Sequence, residues 1–136
     1  MPVAIVGLYP VTAGAVGAEE LHKALCEPVR PSPPPEIELD MSRYTETKHA
    51  YLDPTTKLAL AAASGAMSDA GWSKDDGSVG LSFGSALGCA ASAAAHDGAL
   101  AAKGGRFVSP FIFSHSYPNS PNVVISMDLG LKGFNT

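Results

Sequence analysis

Two cysteines and four histidines are the side chains in this sequence best suited to nucleophilic attack or proton transfer. Cys26 and Cys89 stand far apart, with neither CxxC nor Cys/His spacing, so the pattern indicates neither a zinc site nor a disulfide framework. Both read as reduced thiols, and Cys89 as a small buried hydrophobe. A histidine that works as a base needs a partner to orient its ring. Lys48 precedes His49 and Ser114 precedes His115, with no acid adjoining either ring, and His22 and His96 read as surface or satisfied core histidines rather than bases. His115, in the loop after an aromatic run, is the best placed of the four. The run GSALG at residues 84–88 lacks both GxxxxGK[ST] and GxGxxG, so it is no phosphate cradle. Asp69 reads as a helix-end residue rather than a catalytic carboxylate.

The elements that would position these residues are legible in outline. Val3 to Gly7 is a short apolar run ending in glycine, as expected of a strand buried on both faces. Glu19, Glu20, Leu21, Ala24 and Leu25 make an amphipathic helix with acids at its favourable end. Pro28 to Pro35 reads PVRPSPPP and predicts an extended surface connection in preference to a proline-rich ligand. Asp53-Pro54 opens the clearest helix, which stops at Gly71 and whose Ala59 to Ala63 face is expected against a sheet. Ser78 to Gly84 predicts a central strand, and Cys89 to about Lys103 a helix poor in large side chains. Asn119 to Pro121 starts a last helix that Gly130 ends, with Val123, Val124 and Met127 as its apolar face.

Composition narrows the partners. The chain of 136 residues falls within the size of one domain, and its formal charge of -4 without a basic run argues against a nucleic-acid surface. No apolar run reaches the roughly 20 residues needed to span a bilayer, and the start lacks a basic signal-peptide region. These features point to a cytoplasmic protein with a small-molecule or carrier-protein partner, and to no metal.

The stretch Ser109 to Thr136, SPFIFSHSYPNSPNVVISMDLGLKGFNT, resembles a segment of the β-ketoacyl-ACP synthases. That segment runs SPFF, a proline or asparagine cap, an interface helix and GLRGPN-T, directly before the strand that carries the nucleophilic cysteine. Gly130 to Thr136 matches the last motif, with Phe134 where proline is usual. Gly7, Val11, Thr12 and Gly14 resemble the family's GxGxVTxxG opening, and the Asp53 helix ending in DAG matches a family helix. The region after Pro28 is shorter than usual, and Pro121-Asn122-Val123 replaces a VAG-like triplet.

The resemblance implies an α/β, thiolase-like fold of two similar halves in α-β-α-β-α layers. Residues 1–136 would form most of the N-terminal half, incomplete without a second polypeptide. It implies acyl transfer and decarboxylative carbon–carbon bond formation in fatty-acid or polyketide biosynthesis, with no cofactor. Leu87 and Gly88 fall on the loop that borders the acyl pocket, Leu87 at the bulky position that limits chain length; Phe111 and Phe113 complete the pocket. Expected partners are an acyl carrier protein, a polypeptide carrying the C-terminal half, and a second synthase subunit in a homo- or heterodimer.

By the same resemblance the cysteine lies beyond Thr136 and the histidine pair further on, so no catalytic residue is expected in this chain. A split synthase and cleavage of a precursor near Asn135-Thr136 are both preferred to an arbitrary boundary; a Thr hydroxyl attacking the preceding carbonyl would be the route for cleavage. Two other roles fit the same residues: a non-catalytic, chain-length-factor-like partner, and a self-processed thiolase-fold hydrolase or transferase.

Overall fold

Asp53 and Pro54 do what their positions predict. In the computed structural model, which describes residues 2–27, 37–72 and 78–136, the Asp53 carboxylate accepts the Thr55 N–H at 2.8 Å. Pro54 occupies the first turn, where its missing N–H costs nothing. Helix α2 then runs Pro54–Asp69. It follows a short hairpin of β1 (Val11–Thr12) and β2 (Ala15–Val16), helix α1 (Ala18–Cys26) and a 3₁₀ turn at Met41–Arg43. Beyond it come α3 (Ala90–Lys103), a second 3₁₀ turn (Gly105–Phe107), α4 (Pro110–Ser114) and α5 (Ser120–Leu129). The proline-rich stretch Pro28–Pro35 lies outside the described residues. Among the described residues no helix is long and apolar enough to cross a membrane.

The core forms where α2 packs against α5. Leu60 and Ile125 are fully buried there, with Leu52 and Val124 beside them; each such side chain contributes about 1.5–3 kcal/mol of hydrophobic stabilisation. One expectation is met in part and another changes. Ala59 and Ala63 pack against the core that α2 forms with α5, and Ala63 also borders the extended segments 5–7 and 79–81. On α5, Val124 and Ile125 turn inward while Val123 and Met127 face out at 47% and 77% exposure. The sequence of α5 is apolar on most sides, so periodicity did not fix which side is buried. Gly130, at φ 67, ends the helix in the left-handed conformation that glycine tolerates.

The hairpin is fastened to α2 by Tyr9. Its ring lies over Gly65, where any side chain would collide with it, and its edge meets the Tyr44 ring with centroids 6.2 Å apart. The register is Val11 opposite Val16 and Thr12 opposite Ala15.

The strand expectations are met only in part. Val3 to Gly7 is not a strand, and Val3, Ile5 and Val6 are exposed. Among the described residues no neighbouring backbone pairs with it, and an apolar run becomes a buried strand only when flanked. Segment 79–83 is extended and pairs on one side with 133–136. Gly133 N–H donates to Val79 O (2.9 Å), Leu81 N–H to Phe134 O (2.8 Å), Thr136 N–H to Leu81 O (3.0 Å) and Phe83 N–H to Thr136 O (2.9 Å). The Leu81–Asn135 bridge is parallel.

Candidate functional site

The N-termini of α2 and α3 meet at one buried carboxylate. Asp53, fully buried, caps α2 through Oδ1 and reaches the first turn of α3 through Oδ2. There it accepts the Ser92 N–H at 3.0 Å and the Ser92 hydroxyl at 2.6 Å. Ser92 in turn shares a 2.8 Å hydrogen bond with the Tyr51 hydroxyl. Burial alone would raise the Asp53 carboxyl; the Ser92 hydroxyl and the Thr55 and Ser92 amides outweigh it and hold the group below its ordinary value. The sequence reveals the α2 cap. It does not show that the same carboxylate serves α3, because Ser92 lies 39 residues on.

Gly88 sits at this junction. The Thr55 hydroxyl donates to Gly88 O (3.0 Å), the Gly88 N–H donates to Ser85 Oγ (2.9 Å), and the backbone has a φ of 54. A Cβ here would stand 3.1 Å from Pro118 Cα, so the position favours glycine on both counts. Leu87 beside it is 80% exposed. Phe113 lies between the His96 and Tyr117 rings, with centroids at 5.3 and 5.4 Å, and Phe111 on the same short helix is largely exposed. Gly88 and Phe113 thus lie close to one turn, Tyr117-Pro118. A cavity of about 360 Å³ at this turn is lined by His115, Tyr117, Val123 and Val124 among others and by none of the four pocket residues expected from the sequence.

His49 and His115 have neighbours that sequence distance hid. His49 Nε2 lies 2.9 Å from Asp128 Oδ2, 79 residues away, and the Thr45 hydroxyl donates to the same oxygen at 2.7 Å. Burial raises the Asp128 carboxyl, but His49, Thr45 and Thr47 together bring it below its usual range. His96 Nδ1 is 3.0 Å from Asp97. His115 stacks edge-on with Tyr51 at 5.6 Å, and its Nδ1 is buried without a hydrogen-bond partner among the described residues. Burial first, and then the charge of His49, push its pKa down. No residue type near His49 announced Asp128; only the packing of α5 under loop 41–52 brings them together.

The two thiols differ in exposure. Burial pushes the Cys89 thiol up, and its Sγ, 2% exposed at residue level, meets the Thr56 hydroxyl at 3.8 Å; the thiolate is the attacking form. Cys26 is exposed at the C-terminal end of α1, and its Sγ contacts His22 Nε2 at 3.7 Å. Asn135 donates through Nδ2 to Ser126 Oγ at 2.7 Å and Asn122 O at 3.4 Å. Thr136 is held in the parallel ladder described above. Among the described residues no three His, Cys, Asp or Glu side chains gather as metal ligands.

Helix α5 runs from the Asn119 position to Gly130, α2 is capped by Asp53, and α3 is built mostly of small residues. Residues 34–136 match the family described as beta-ketoacyl synthase, N-terminal domain, and the chain belongs to that family. The family carries a thiolase-like fold. A search among curated proteins found no match.

Proposed function

We propose that this chain is the N-terminal part of a condensing enzyme of fatty-acid or polyketide biosynthesis. A second polypeptide, carrying the C-terminal half of the α-β-α-β-α fold, supplies the nucleophilic cysteine and the histidines. In the assembled synthase the cysteine thiolate accepts an acyl group from an acyl carrier protein, releasing the carrier thiol. Malonyl carrier thioester then loses carbon dioxide, and the resulting carbanion attacks the acyl thioester, regenerating the thiolate as the new carbon–carbon bond forms. Leu87, Gly88, Phe111 and Phe113 contribute to the acyl pocket, and the exposed apolar residues of α4 and α5 to the subunit contact.

The state of the thiols carries the reading. A β-ketoacyl synthase needs a readily ionised cysteine; burial opposes ionisation of Cys89, and Cys26 ends α1 rather than opening a helix. The test is denaturing intact mass spectrometry of the purified assembly, before and after incubation with an acyl-loaded carrier protein. An accompanying polypeptide that gains one acyl mass, while the 13.9 kDa chain does not, supports the proposal. Acylation of Cys26 or Cys89 overturns it. A partner that gains no acyl group assigns the pair the pocket-shaping, chain-length-factor-like role instead.

A further inference from the structure

Helix α1 carries His22 and Cys26 at i and i+4, which puts both side chains on one face, a turn apart. The imidazole Nε2 and the thiol Sγ stand 3.7 Å from each other, and both residues are exposed. The helix is fastened at its start by Glu20, whose Oε2 accepts the Val16 N–H at 2.9 Å. It packs on β2, and none of its own residues is buried. The pair therefore rides on a regular element and opens to solvent. It lies outside residues 34–136, which carry the family match, and takes no part in the acyl chemistry proposed above.

A zinc ion binds thiolate sulfur at about 2.3 Å and imidazole nitrogen at about 2.0–2.1 Å. With a tetrahedral angle at the metal, those bonds set sulfur and nitrogen about 3.5–3.6 Å apart. The observed 3.7 Å lets both atoms reach one ion without unwinding the helix. The same i,i+4 spacing is how the two histidines of H-E-x-x-H hold a single zinc. Nitrogen and sulfur donors select zinc over magnesium and calcium, which take oxygen ligands. Lys23, on the same side of the helix, is paired with Glu19 at 3.6 Å, which offsets its repulsion of a metal cation.

We propose that His22 and Cys26 chelate a zinc ion. The Cys26 thiol releases its proton to solvent as the sulfur–metal bond forms, His22 gives the Nε2 lone pair, and water completes the coordination shell. Two protein ligands make a weaker site than the four of a structural zinc, so the ion exchanges with solution and the fold does not depend on it.

The test uses the purified, untagged chain with any polypeptide that accompanies it. Zn2+ alone is added and the rate at which a thiol reagent labels Cys26 is followed on the mass of this chain; Co2+ alone serves as the spectroscopic probe. Expected are slower labelling of Cys26 in zinc and a thiolate-to-cobalt charge-transfer band that disappears in Cys26→Ser. His22→Ala is the discriminating variant. Losing an outer-shell partner of a ligand already weakens metal binding about 10–100-fold, so losing the ligand itself should raise the zinc needed for half-protection at least about tenfold. Both side chains are exposed, so the circular dichroism of either variant should match wild type. Labelling that millimolar zinc does not slow overturns the inference. So does protection undiminished in His22→Ala, which would mean a lone thiolate ligand, or protection that magnesium gives equally.

Discussion

Replacing Asp53 tests the joint between α2 and α3 most directly. The carboxylate accepts three hydrogen bonds, from Thr55 N–H, Ser92 N–H and the Ser92 hydroxyl, at 2.8, 3.0 and 2.6 Å, and no part of it reaches water. Asp53→Ala removes an N-cap, worth about 1 kcal/mol. It also leaves Ser92 with unmatched buried donors, each costing about 1–3 kcal/mol. The losses overlap, because Ser92 can turn its hydroxyl toward Tyr51, so the expected total is about 3–4 kcal/mol. Asp53→Asn separates the two roles. Asparagine caps α2 as well as aspartate does, but its amide group would face the Ser92 N–H donor to donor, for an expected loss of about 2 kcal/mol. Urea unfolding followed by circular dichroism reads both, in whatever assembly the chain forms. An Asp53→Ala loss below about 1 kcal/mol, or an Asp53→Asn variant as stable as wild type, would show that the carboxylate does not join the helices.

Three further outcomes are expected. Under native conditions a thiol reagent modifies Cys26 quickly and leaves Cys89 untouched until the chain unfolds; counting labelled thiols by mass checks this, and rapid double labelling contradicts the burial of Cys89. Gly65→Ala drives the Tyr9 ring off α2 and should cost about 1–3 kcal/mol; aromatic NMR spectra of the variant should show no cross-peak between the Tyr9 and Tyr44 rings, and a persisting one contradicts the displacement. The lowered pKa of His115 means the unfolded chain takes up that proton first. The stability associated with a neutral His115 is therefore complete above its ordinary value of 6.5 and declines as pH falls below it. His115→Phe should flatten this decline just below that value. An unchanged slope in urea titrations refutes it.

The local punctuation of the chain was readable from sequence because its causes are local. Asp53-Pro54, Pro121, Gly71 and Gly130 bound helices through capping, first-turn proline and left-handed backbone angles, which depend on a few neighbouring residues. The motifs from Ser109 to Thr136 also identified the family that the match over 34–136 shows. Tertiary structure alone decided which face of α5 turns inward and that His49 finds Asp128. It also left Val3 to Gly7 exposed, although these residues read as a buried strand. Each of these depends on residues distant in sequence: a carboxylate 79 positions away, or a strand that must lie alongside before apolar residues can be buried. Propensity and periodicity describe what a segment is able to do, and the partner it packs against decides what it does.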